Sequence, residues 1–538
     1  MGRSRRHPGW LDGSLLVVLG FVLLELAFAY PPAVVEADSV RVGYGILHGA
    51  HTEQYFRARD LYGRSFSFGY YALFWAIYPL LDGFMSLGAA MNVLNLITTA
   101  IALIVIHWWV KVLWGGRTAL AALIFVAATP VVFELGGYGH PEGPAFLALN
   151  LGIWSLIRAV RPEARNPALG LVAATFLLWA GATLRADVLL AFPALPFLGA
   201  AGGEPGRRRR AFAIGLLTTG AAAAAFFAVQ TAVLALAPPR TLPVPGETFT
   251  GTLGMAPMLI EYWKGATSVR ALAKGLAVWI TGLGPVLLAL GALGVSALFR
   301  KGNPSLGLAA LAFILPSALF WLPNPTPSRH LLLTFLGLVP AAADWLQARF
   351  SGRRFGLAVV IVLGLNLVAM DLIRPFIIRN YQFAFVSLLP QRVNLWVPMG
   401  NPIAARVWAR RQVELELDET RQLLETGEPR VFVFGGWVAL RLIHELYARG
   451  DYQVAHEWRH DGFMVHVTTP KTEYVIYDYG GPPSLPPAEL MERIAKAGDY
   501  RDFALAIVPS DQPVVGAASV PAGYRELPIT LPAWLRRE

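Results

Sequence analysis

The chain has 538 residues, 55% of them hydrophobic and only 15% charged, with a mean hydropathy of +0.50. A water-soluble fold cannot bury that much apolar surface, so lipid must cover a large part of it. The net charge of +10 does not point to nucleic acid, because Lys and Arg fall in short clusters between apolar runs. Cysteine is absent, which excludes disulfides, thiolate metal sites and cysteine nucleophiles and leaves the redox compartment open.

A segment needs roughly 20 apolar residues to cross the hydrocarbon, and it must be helical so that its backbone polar groups are satisfied internally. Spans are expected near Ser14 to Tyr30, Ser86 to Val110, Ala119 to Leu135, Pro144 to Ile157, Ala168 to Leu184 and Val188 to Ala201. They continue at Phe212 to Leu236, Gly275 to Leu298, Leu306 to Leu322, Leu331 to Leu346 and Gly356 to Ile373. The first span also imitates a cleaved signal peptide, with a basic start and Ala27-Phe28-Ala29, but is read as retained. The aromatic stretch Phe68 to Leu81 is short for a span and is expected to lie in the interface, with a twelfth span as the alternative.

Basic residues alternate with this count. Arg3, Arg5 and Arg6, Lys111 and Arg117, Arg158, Arg161 and Arg165, Arg207 to Arg210, Arg300 and Lys301, and Arg349, Arg353 and Arg354 all fall on one side. The other side has only Arg185 and Arg329 in its short loops. By the positive-inside rule the N-terminus is cytoplasmic and the multi-pass chain sits in a cell inner or plasma membrane. Residues 1–376 are expected to form the membrane module, with long outer loops at 31–85 and 238–274. Residues 377–400 read as an interfacial linker, and 401–538 as a small α/β domain on the periplasmic or extracellular face. Strand-like runs in that domain lie at Arg430 to Phe434, Phe463 to Thr468, Tyr474 to Tyr479 and Phe503 to Pro509. Helical patterns lie at Ile403 to Glu425, Trp437 to Arg449 and Pro487 to Ala497. Gly435-Gly436 after the first strand lacks a phosphate-loop spacing and reads as a tight turn.

Four polar groups converge on the outer side. Glu36-Ala37-Asp38 follows the first span, with His48, His51, Glu53 and Asp60 in the same loop. His140-Pro141-Glu142 precedes the fourth span, Arg185-Ala186-Asp187 joins the fifth and sixth, and Ser328-Arg329-His330 opens the tenth. Ionisable groups at membrane depth are costly and point to function. The bland readings are that Arg185 clasps Asp187, that Arg329 snorkels, and that Glu142 merely answers a helix dipole. Carboxylates, arginines and histidines under an apolar roof suit group transfer from a lipid phosphate. A carboxylate takes the proton of an acceptor hydroxyl, and arginines neutralise the departing phosphate.

In their order these motifs resemble the GT-C superfamily of integral membrane glycosyltransferases, which includes protein O-mannosyltransferases and aminoarabinose transferases. The resemblance runs from about Leu15 to Leu346. Glu36-Ala37-Asp38 matches the ExD form of the family's first-loop acidic motif, and Tyr70-Tyr71-Ala72-Leu73-Phe74-Trp75 its interfacial helix. Glu142 stands at a second acidic position. Leu184-Arg185-Ala186-Asp187 is similar to an LRPD segment, and Pro327-Ser328-Arg329-His330 to a PSRY helix start, with Ala186 and His330 as departures.

The resemblance implies inverting transfer from a polyprenyl-phosphate sugar to a hydroxyl of a lipid, glycan or protein, with Asp38 as general base and Glu36 supporting it. Arg329, then Arg185 and His330, would meet the donor phosphate. His140, Glu142, Asp187, His48, His51, Tyr70 and Tyr71 would line the substrate site. The residues name no certain cofactor, and a divalent Mg or Mn ion on Asp38 and Glu142, with Glu36 and His140 on the same face, stays open. Competing classes are a lipid-linked glycan flippase or transporter, an O-antigen polymerase or ligase, and a catalytically inert scaffold. A transporter would place its charges near the bilayer midplane.

Overall fold

The computed structural model describes residues 13–28, 68–81, 83–129, 131–132, 141–236, 276, 279–280, 282–321, 331–381, 414, 417–434, 436–450, 452–459, 463–478, 500, 502–507 and 524–529. In chain order the helices are α1 (Gly13–Phe28), α2 (Phe68–Leu81), α3 (Leu87–Trp114), α4 (Gly116–Ala127), α5 (Glu142–Ala159) and α6 (Pro167–Leu184). A 3₁₀ segment, Ala186–Ala194, leads into α7 (Leu195–Gly202). The membrane helices end with α8 (Arg208–Leu236), α9 (Pro285–Arg300), α10 (Pro304–Trp321), α11 (Leu332–Arg349) and α12 (Gly352–Tyr381). Over the described residues, every span expected from the sequence overlaps one of these helices, those at Ala119 to Leu135 and Gly275 to Leu298 only in part. The sixth differs in kind, because Pro193 and Pro196 remove backbone donors and interrupt regular α hydrogen bonding there.

Among the described residues, four helices are long and apolar enough to cross a membrane alone: Leu87–Trp114, Pro167–Leu184, Pro205–Ala232 and Gly352–Met370. Shorter apolar helices pack among them. The 14 residues of α2 reach only about 21 Å, well short of the hydrocarbon thickness. On α6, exposed Leu169, Val172 and Phe176 form one stripe while Ala174, Leu178 and Ala182 are buried. That is the periodicity of a helix with one face toward lipid and one toward protein. In the core, α5 packs between α3 and α6, and α11 packs on α9 and α10. Gly294 lets α9 and α11 approach closely, since a Cβ there would sit 2.2 Å from the Ala341 carbonyl oxygen.

The basic helix ends gather at one end of the bundle. Lys301 pairs with Asp344 at 2.7 Å, Thr118 donates to Gln347, and the Arg349 guanidinium lies 3.6 Å from the Trp345 ring centroid. Arg158 stacks 5.4 Å from Trp154 in the same manner. Aromatic rings with basic groups are what an interface between lipid and water selects.

The C-terminal unit has a six-stranded sheet in the order β2-β3-β4-β1-β5-β6. Its strands are β1 (Arg430–Phe434), β2 (Gln453–Arg459), β3 (Phe463–Thr468), β4 (Glu473–Asp478), β5 (Ala504–Ile507) and β6 (Arg525–Glu526), with helix α13 (Gly436–Arg449) after β1. β1 runs parallel to β4 and β5, whereas β3 is antiparallel to β2 and β4. Sequence patterning missed β2 and β6. β2 carries His456, Glu457 and Arg459 among its apolar residues, and β6 has only two residues. The helical pattern expected from Ile403 is seen at 417–424, and that at Pro487 to Ala497 lies outside the described residues. One apolar cluster contains Tyr70 and Phe74 of α2, Leu87 and Met91 of α3, and Leu423, Val431, Leu442 and Ile476 of the C-terminal unit. The sheet thus shares its core with the end of the bundle where α2 lies.

Candidate functional site

The site is built where α5 begins and α6 ends. α6 stops at Leu184 because Arg185 turns to extended backbone (φ −157°, ψ 114°), while its N–H still bonds the Gly181 carbonyl at 2.9 Å. The following 3₁₀ turn carries Asp187 in its first turn, where the helix dipole favours a carboxylate. Glu142 occupies the equivalent position in α5. Arg185 therefore stands between two acids. Its Nε lies 2.6 and 2.7 Å from the two Asp187 carboxylate oxygens, and its Nη1 pairs with Glu142. Glu142 has no exposed side-chain surface, while Arg185 and Asp187 keep a small exposed fraction. Such buried pairs hold firm only when all partners are present, since one left alone is a buried charge.

α2 covers this cluster from the side. Gly69 packs so closely that a Cβ would lie 2.7 Å from Thr183 Oγ1. Tyr70 beside it is fully buried and near enough to Glu142 to feel its charge. Among the described residues its hydroxyl has no hydrogen-bond partner. The Phe74 ring lies tilted against Tyr70 with centroids 4.9 Å apart, and Tyr71 stacks on Trp75 at 6.1 Å.

Of the residues expected from the sequence, the structure brings together Glu142, Arg185, Asp187 and Tyr70, with Tyr71 on the same helix. Glu36, Asp38, His48, His51, His140, Arg329 and His330 lie outside the described residues. Among the described residues no group of three or more His, Asp or Glu could hold a metal ion. Sequence reasoning overlooked Asn95, which is buried in α3 and accepts a hydrogen bond from the Gly143 N–H at 3.0 Å. The spacing of Asn92, Asn95, Thr98 and Thr99 inside an apolar run was the available signal, since polar groups in a span cost free energy unless partnered.

No protein-family model matches the sequence, and no curated protein matches it. Among solved structures, the chain is similar to ArnT from Cupriavidus metallidurans bound to undecaprenyl phosphate, with a TM-score of 0.50 and 14% identity over 81% of this chain and 85% of that chain. The same ArnT in the apo state gives a TM-score of 0.46 at 14% identity, over 81% of this chain and 84% of that chain. An Archaeoglobus fulgidus oligosaccharyltransferase tethered to an acceptor peptide gives 0.44 at 10% identity, over 81% of this chain and 63% of that chain. The first of these supports the fold that the ordered motifs implied. The chain shares its overall fold with that undecaprenyl-phosphate-bound ArnT structure.

Proposed function

We propose that this protein is a membrane glycosyltransferase that moves a sugar from a polyprenyl-phosphate donor to a hydroxyl acceptor on the outer face, with inversion. The observation that carries the reading is the meeting of Glu142, Arg185 and Asp187, from separate elements, beside the buried Tyr70 hydroxyl. A structure with this fold has been captured with undecaprenyl phosphate, which supports that class of donor.

In the proposed reaction the Asp38 carboxylate, supported by Glu36, takes the proton of the acceptor hydroxyl as its oxygen attacks the anomeric carbon. The bond from that carbon to the phosphate oxygen breaks, and polyprenyl phosphate leaves with the electron pair. Arg329 and His330 meet the phosphate. Arg185, already held by two carboxylates, serves the phosphate second and the shape of the sugar site first. Glu142, Asp187, His140, His48, His51, Tyr70 and Tyr71 line that site, where carboxylates accept from sugar hydroxyls and the Tyr70 hydroxyl donates to a sugar oxygen. The apolar helices hold the polyprenyl tail. Residues 1–376 form this catalytic module with the N-terminus cytoplasmic, and 401–538, joined through 377–400, face the acceptor side. The reaction as written needs no cofactor.

The test is incubation of purified protein with labelled undecaprenyl-phosphate mannose, glucose, arabinose and 4-amino-arabinose and with membrane extract, in EDTA and in Mg or Mn. Label in a new product with an inverted anomeric centre is the expected result. Movement of intact labelled donor across proteoliposomes without cleavage would favour a flippase instead. Activity only with Mg or Mn would place a divalent ion in the mechanism.

A further inference from the structure

We propose that Asn95 is a positioning residue that sets the place of Glu142 by capping α5 from a neighbouring helix. This rests on the reading of Glu142 as part of the sugar site.

The first turn of a helix leaves backbone N–H groups without partners inside the helix. In α5 the flanking residue is Pro141, whose side chain makes no capping hydrogen bond, and Pro144 has no N–H to satisfy. The Gly143 N–H is the donor next to Glu142, and Asn95 Oδ1 accepts it at 3.0 Å. Asn95 is only 1% exposed, so this bond forms away from water. Gly143 is what allows it. A Cβ at that position would lie 2.1 Å from Asn95 Oδ1 and 2.9 Å from Thr98 Oγ1. Thr98 Oγ1 donates to the Leu94 carbonyl at 2.7 Å, and the acceptor of the Gly143 amide is Asn95 Oδ1.

The consequence is geometric. Glu142 is the first residue of α5, and its carboxylate meets Arg185 from another helix. With the amide on one side and the guanidinium on the other, the residue is fixed from both its backbone and its side chain. Loss of the Asn95 amide frees the first turn of α5, and Glu142 then samples positions away from the sugar.

The experiment is a double-mutant cycle on the full-length protein, with whichever of the four undecaprenyl-phosphate sugars wild type transfers. Asn95→Ala is expected to lower kcat/KM roughly tenfold, as loss of one buried hydrogen bond allows. Asn95→Ala combined with Glu142→Gln is expected to match Glu142→Gln alone. A merely structural role would multiply the two losses, and that result overturns the proposal. Where Asn95→Ala does not fold, Gly143→Ala replaces it in the same cycle with the same expectations. Full activity in Glu142→Gln shows instead that the sugar-site reading of Glu142 has failed, and the proposal fails with it.

Discussion

Arg185 at the end of α6 pairs with Glu142 at the start of α5, joining two antiparallel helices at one end of the bundle. Neither charge is well solvated, and the ion pair offsets part of the cost of burying both. Arg185→Gln removes the guanidinium from both Glu142 and Asp187 and should destabilise the protein by about 3–5 kcal/mol. Arg185→Lys restores the charge without the planar fork, and recovers only part of that loss. Thermal unfolding in detergent measures both.

The Tyr70 hydroxyl is buried with no hydrogen-bond partner among the described residues, a state that costs about 1–3 kcal/mol. Tyr70→Phe should therefore hold or raise stability while raising the donor KM several-fold. Stability and KM move in opposite senses only if the hydroxyl serves substrate. Unchanged KM in a stable Tyr70→Phe would remove Tyr70 from the site.

Asn366 of α12 does for α9 what Asn95 does for α5. Its Oδ1 accepts from the N–H groups of Val286 and Leu287, each at 3.1 Å, and its Nδ2 donates to the Leu283 carbonyl at 3.1 Å. Gly284, the residue before α9, has no side chain to cap it and sits at φ +90°, where a Cβ would strike the Asn366 amide. Asn366→Ala should cost about 1–3 kcal/mol of stability and leave the donor KM unchanged, as checked by unfolding and steady-state kinetics.

In the C-terminal sheet, burial pushes the Glu473 carboxyl up, but hydrogen bonds from Arg430 and His466 outweigh it and hold the group below the usual range. Arg430 Nε meets Glu473 at 2.8 Å and its guanidinium lies 4.3 Å from the Phe503 ring. A depressed folded-state pKa contributes stability that is present above the unfolded value near 4.3 and is lost as pH falls through the folded value. Protection of β4 amides from hydrogen exchange, relative to the unfolded chain at the same pH, should fall in acid below about pH 4, and Glu473→Gln should abolish that dependence. The pair is partly exposed, so the change at neutral pH should stay below about 1 kcal/mol.

Much of the fold was legible because lipid leaves few choices. Apolar length dictated the helices, and the short aromatic run Phe68 to Leu81 appears as a helix with those same ends. The site was legible in part, since Glu142, Arg185 and Asp187 stood out as charges at span ends. Their mutual pairing was not readable, because nothing in the spacing of three distant segments says which helix ends touch. Asn95 and Asn366 were missed for a related reason. Each caps a helix on another part of the chain, whereas sequence rules for capping look only at adjacent residues. β2 was missed because charged side chains break its alternation, and its pairing with β3 supplies what the pattern lacks.

The most direct measurement of the central claim compares wild type with Asp38→Asn for donor binding and for sugar transfer, using the labelled undecaprenyl-phosphate sugars. The account predicts that both proteins bind donor, that wild type transfers label to acceptor, and that Asp38→Asn turns over at least about a hundredfold more slowly. Equal transfer by the two proteins would contradict Asp38 as the base, and binding without transfer by either would contradict the assignment as a glycosyltransferase.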